Sequence, residues 1–263
     1  MRMATLPIAA RLALVTVGAA LLWRGALLLR VFDTAPLWNR ILQGAVVTLG
    51  VLALIAALRA RTTRLGRSMG MQDTASNLRA CLLGAGLWLV PAALGTTVCM
   101  ALGWTSIEVR ASLGALILAA STVALGVMLI EALPEELLFR GFMQGAVAQH
   151  HPAWIALLAQ LALFVAFAWV IGALHSPWQW MFIPGFALIL GYARALSGNV
   201  WTCIGIHFAW MTTTQTLATP HFAVEGLQTL QFIAFALLPS ATIGVRLGMR
   251  RPHFDWRQRA PRA

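Results

Sequence analysis

The sequence predicts an all-α, polytopic membrane bundle of about eight transmembrane helices, and three observations carry that prediction. Of 263 residues, 60% are hydrophobic and only 10% charged, where a soluble domain has about 25% charged. The mean hydropathy is +0.79. Apolar runs approaching or exceeding the roughly 20 residues that cross a bilayer recur along the whole chain.

The first run, residues 9–31, is interrupted by Arg24, whose stem can carry its charge to the interface or into a pair. Arg2 and Arg11 ahead of it resemble a signal peptide. No small-residue cleavage site follows a short apolar core, which predicts a retained first helix. The second run is 41–58. A basic loop follows with Arg59, Arg61, Arg64 and Arg67, then a polar patch (Gln72, Asp73, Ser76, Asn77) that opens a helix. The third run, 78–103, holds Pro91, where a kink is expected. Residues 106–110 read as a polar turn.

The fourth run starts near Ala111 and continues as helix to about Ala148. At about 1.5 Å per residue it is longer than one crossing and must tilt, kink at Pro134 or leave the membrane. His150, His151 and Pro152 form a turn. The remaining runs are 153–174, 180–196, 200–217 and 227–247, and the tail from Arg250 is basic and expected to be poorly ordered. This organisation predicts one membrane-embedded domain over 1–250 and a tail at 251–263.

The formal net charge of +11 does not indicate nucleic-acid binding, because the arginines lie between apolar runs and at the C-terminus. That distribution follows the positive-inside rule and predicts both termini on the cytoplasmic side. With an Ala-rich composition, it fits an integral protein of a bacterial cytoplasmic membrane. Cys81, Cys99 and Cys203 sit in apolar runs without CxxC spacing and read as packing residues.

The stretch 131–141, EALPEELLFRG, breaks the apolar pattern. Each charge in a membrane costs roughly 2.5–3.5 kcal/mol on insertion scales, so Glu131, Glu135, Glu136 and Arg140 need partners or a task. The bland alternative is the polar end of a helix at the membrane surface. Glu136 and Arg140 are four apart with the acid first, the favourable order for an ion pair. Glu135 lies about 100° further round and is left free. Beside Glu131 in a low-dielectric setting, it is a candidate general base.

Two histidines lie at or within apolar runs, His175 and His207; a lone membrane histidine can equally be a structural one bonded to a carbonyl. His150, His151, His221 and His253 fall in turns, a loop and the tail. Counting helix rise, Glu135, His175 and His207 can converge in one cavity.

EELLFRG resembles the EExxxR motif of the CPBP family, the CAAX-protease and bacteriocin-processing membrane proteins. His175 is similar to that of the family's FxxxH motif, with Ile171 at the phenylalanine position. LGYARALSGNVWTCIGIHFAW resembles the third motif with its lead-in, the motif histidine being His207. The resemblance covers about 111–214. It implies an intramembrane endopeptidase acting on a membrane-associated peptide or protein. Glu135 would activate water, Glu136 and Arg140 would support it, and His175 and His207 would bind or polarise the reacting centre. The family's Asn or Asp four residues after the third-motif histidine is Met211 here, which removes an oxyanion donor; Thr212, Thr213 or Thr214 could substitute. Glu135, His175 and His207 also have zinc-ligand chemistry, so hydrolysis with or without Zn stays open, although no HExxH helix is present. Met211 and Ile171 support an alternative: a catalytically impaired relative serving as an immunity, scaffold or regulatory partner. A transporter would need internal repeats with broken helices, and none is seen.

Overall fold

The computed structural model describes residues 7–29, 36–59 and 69–259. The arginine-rich loop 61–67, the charges at Arg2, Arg30 and Asp33, and the end of the tail with Arg262 lie outside them. Among the described residues the chain forms eight long helices: α1 (Ile8–Leu27), α2 (Pro36–Arg59), α3 (Thr74–Ala101), α4 (Leu113–Ala148), α5 (Ala153–Val170), α6 (Pro177–Ser197), α7 (Val200–Leu217) and α8 (Leu227–Arg250). All but α7 are long and apolar enough to span a membrane. In α7, Thr202, His207 and the 212–216 run of Thr and Gln lower the hydropathy, and its first half is buried inside the bundle. The outer surface is apolar, with exposed Leu14, Leu21, Val90 and Leu118. This is the exterior of an integral membrane protein, and the predicted helical bundle is borne out.

Local chemistry sets the helix ends. Asp73 caps α3 by accepting the Ser76 N–H at 3.0 Å, which is the role of the polar patch at 72–77. Asn199 caps α7 through the Trp201 N–H at 2.8 Å and reaches Asn77 Oδ1 at 3.2 Å, tying the starts of α3 and α7 together. α5 stops at Val170, and Gly172 turns the chain with φ +85°. The expected fifth span was a few residues longer. Ser176 and Pro177 then open α6 three residues ahead of the expected start.

Two expectations are corrected. Residues 106–110 are not a simple turn: Ser106–Val109 (β1) pairs antiparallel with Phe222–Glu225 (β2), linking the loops after α3 and α7. The tail is also ordered as far as it is described. Trp256 stacks on Tyr192 with ring centroids 5.6 Å apart. The carbonyls of Gln258 and Trp256 accept the first N–H groups of α5, from Ala153 (3.1 Å) and Trp154 (3.3 Å). Those donors have no partner within their own helix, so the tail acts as its cap.

α3 and α7 cross at very short range. A Cβ on Gly84 would strike the Thr202 backbone, and one on Gly205 would strike the Cys81 backbone. Small residues at reciprocal positions let two membrane helices approach this closely, and the crossing fixes the depth of His207, two residues beyond Gly205.

Candidate functional site

α4 carries the acidic motif and is not a regular α-helix. Val127–Ala132 and Glu136–Met143 are π-helical, with an α segment at Leu133–Glu135 between them. Such widened turns often mark functional sites. Pro134 helps explain why this one persists. It has no N–H, so it leaves the carbonyl of Ile130 short of a donor in an α pattern and that of Leu129 short in a π pattern. Both are satisfied from outside: Trp23 Nε1 donates to Ile130 O at 3.1 Å, and Thr48 Oγ1 donates to Leu129 O. α1 and α2 therefore hold the motif helix in its distorted shape.

Glu136 and Arg140 form the expected ion pair, Nη1 to Oε1 at 2.9 Å, and both side chains are fully buried. The guanidinium also lies 4.4 Å from the centroid of the Phe164 ring and reaches Ala187 O at 3.5 Å. One turn on, Gln144 Nε2 donates to Gly191 O at 2.9 Å, and Gln160 of α5 donates to Ala187 O at 3.0 Å. These buried donors fasten α6 to α4 and α5. Gly191 is needed there because a Cβ would overlap Gln160.

His207 is buried and pairs with Glu136, its Nδ1 lying 2.8 Å from Oε1. Sequence reasoning set it opposite Glu135, so this pairing is a correction: Glu136 serves both Arg140 and His207. A carboxylate only accepts, so Nδ1 carries the proton and Nε2 is the nitrogen left over. The ring is held edge-on by Phe186, with centroids 4.9 Å apart. Glu135 is only 7% exposed and makes no hydrogen bond to any described residue. It lies within electrostatic range of Glu131, Glu136 and Arg140.

His175 stands apart in the α5–α6 loop. It is exposed, with Nε2 3.0 Å from Gln179 Nε2 and Nδ1 3.3 Å from Gly172 O. Among the described residues no three His, Cys, Asp or Glu side chains form a group that could hold a metal ion. Glu135, His175 and His207 therefore form no zinc-holding group among the described residues: His175 is exposed in the α5–α6 loop with its Nε2 against the amide of Gln179 in α6, while Glu135 and His207 are buried in the bundle.

Gln215 was not foreseen. Its Nε2 donates to both oxygens of Glu131, at 2.9 and 3.0 Å, and its Oε1 accepts from Arg40 at 3.4 Å. α7 runs antiparallel to α4, so His207 meets Glu136 and Gln215, further along α7, meets Glu131. The available signal was the polar run 212–216 closing a membrane-length segment, with Gln215 its longest side chain. Met211 packs on the hydrophobic core. Thr214 is bonded back to Trp210 O at 3.0 Å, while Thr212 Oγ1 is buried without a partner among the described residues.

Residues 117–213 match the family model described as Type II CAAX prenyl endopeptidase Rce1-like. This match supports the CPBP family. No curated protein and no solved structure gives a significant match to the chain. The Rce1-like segment covers less than half of the chain but contains all three motifs, from Glu135 through His175 to His207. It supports an intramembrane protease of the CAAX type in general terms.

Proposed function

We propose that the protein is an intramembrane endopeptidase in which Glu135 deprotonates the water that attacks a peptide carbonyl. One observation carries the reading: a buried carboxylate with no described hydrogen-bond partner sits next in sequence to a second carboxylate already engaged by Arg140 and His207. The engaged pair orients and holds, and the free acid reacts. His207 Nε2 is the nitrogen available to the reacting centre, its ring orientation set by Glu136 and Phe186. The family resemblance gives His175 the role of a second imidazole, which requires the exposed α5–α6 loop to carry it to the site, and Thr212 is the hydroxyl available where Met211 removes a donor. No step is routed through a metal.

Access is lateral. An apolar groove of about 610 Å³ between α6 and α8 is lined by Phe182, Phe186, Trp210 and Phe232. Phe186 stands between this groove and His207, so a substrate with an apolar tail in the bilayer can approach from the lipid side. The protein is read as resident in a bacterial cytoplasmic membrane with both termini inside.

The test uses the purified protein in lipid discs with fluorogenic C-terminal peptides, prenylated and unprenylated. Glu135→Gln should lower turnover by about 10²–10⁴-fold with an unchanged melting temperature. His207→Ala and His175→Ala follow the same assay. Full turnover in the Glu135→Gln protein would falsify the assignment.

A further inference from the structure

We propose that the cavity between the C-terminal tail and the ends of α4, α5 and α6 binds the phosphate headgroup of an anionic phospholipid. The cavity measures about 770 Å³, and its charged lining is Arg194, Arg250, Arg251, Arg259 and a single acid, Asp255, with His253 alongside. Asp255 Oδ1 is engaged by the Arg257 N–H at 2.8 Å. Arg250, Arg251 and Arg259 are exposed, and no carboxylate among the described residues forms an ion pair with them. Three planar guanidinium forks around one concavity suit the oxygens of a phosphate.

A buried group points to the same occupant. Gln144 lines the cavity, and its Oε1 is buried without a partner among the described residues. It is an acceptor, so a headgroup that carries a hydroxyl beside its phosphate satisfies it.

Position selects a lipid over a free anion. The cavity lies at the last turn of α4, the first of α5 and the last of α6, the level at which headgroups meet membrane helices. Tyr192, Trp256 and Trp154 gather beside it, as aromatic side chains do at a membrane interface. Basic pockets between transmembrane helices bind anionic headgroups by this chemistry. The tail that supplies Arg251 and Arg259 also caps α5, so its position is built into the fold.

The test measures binding of short-chain phosphatidylglycerol, short-chain phosphatidylcholine and inorganic phosphate to the purified full-length protein in detergent, by titration and by thermal shift. Phosphatidylglycerol should bind at least tenfold more tightly than either alternative and raise the melting temperature. Replacing Arg250, Arg251 and Arg259 by Gln should weaken it by roughly fivefold per arginine, on the order of a hundredfold in all. Arg110→Gln, at the other end of the bundle, should leave binding unchanged. Single Arg259→Gln, with the expected fivefold loss, serves if the triple variant does not fold. Equal affinity for the two lipids, tighter binding of inorganic phosphate, or wild-type affinity in the arginine variants overturns the proposal.

Discussion

Arg140→Met tests the claim that one buried guanidinium balances the carboxylate at the centre of the bundle. The substitution keeps an unbranched apolar stem but removes the 2.9 Å bond to Glu136 and the stacking on Phe164 at 4.4 Å. Glu136 is left charged and fully buried, with His207 as its remaining partner. Breaking one side of such a pair costs about 3–5 kcal/mol, and losing the cation–π contact adds roughly 0.5–2 kcal/mol. At about 2–4 °C per kcal/mol for a chain of this size, the melting temperature in detergent should fall by on the order of 10 °C. Adding Glu136→Gln removes the stranded charge yet keeps an acceptor for His207 Nδ1, so the double variant should recover more than half of the loss. Differential scanning fluorimetry of the wild type, both singles and the double closes the cycle. A double variant no more stable than Arg140→Met would refute the argument, because the cost would then lie in packing rather than charge.

Three further outcomes are expected. Gly205→Val pushes a branched side chain into the Cys81 backbone and should lower stability by about 3 kcal/mol, the upper end for overpacking, read as the loss of a folded peak in size-exclusion chromatography on warming. Gln215→Leu strips both hydrogen bonds from Glu131 and should cost about 1.5–3 kcal/mol in the same melting assay, with Gln215→Glu worse because it sets like charges together. The Ser76 hydroxyl and N–H hold the Asp73 carboxyl below its ordinary 3.8. A depressed folded-state value means that its stabilisation is complete above 3.8 and is lost as pH falls through the lower folded value. Asp73→Asn keeps the cap and should flatten the acid limb of the stability–pH curve, and an unchanged limb counts against this cap as its source.

The bundle was legible because bilayer thickness sets a length that apolar runs must meet, and the Glu136–Arg140 pair because four residues bring two side chains onto one helical face. Asp73 announced the start of α3 for a similarly local reason. The partner of His207 was not legible. It depends on the azimuth of Glu135 and Glu136, which the π-helical turns of α4 alter, and on a helix crossing set by Gly84 and Gly205 across more than a hundred residues of sequence. His175 was expected directly at the end of the fifth span, but α5 stops at Val170 and Gly172 turns the chain with a positive φ, which leaves His175 in a loop. The β1–β2 ribbon joins segments too short and too distant for periodicity to reveal. In the tail, the arginines masked the meaning of Phe254 and Trp256, whose rings anchor it.

The contact of Gly84 and Gly205 has a mechanical consequence. Two helices whose main chains touch cannot slide or separate without losing that contact altogether, so α3 and α7 move as a single body. His207 is thus mounted on the stiff half of the molecule. α8 packs on the same unit, since a Cβ on Gly95 of α3 would meet the Ala234 backbone, so any widening of the groove falls to α6, where a ring such as Phe186 can swing aside.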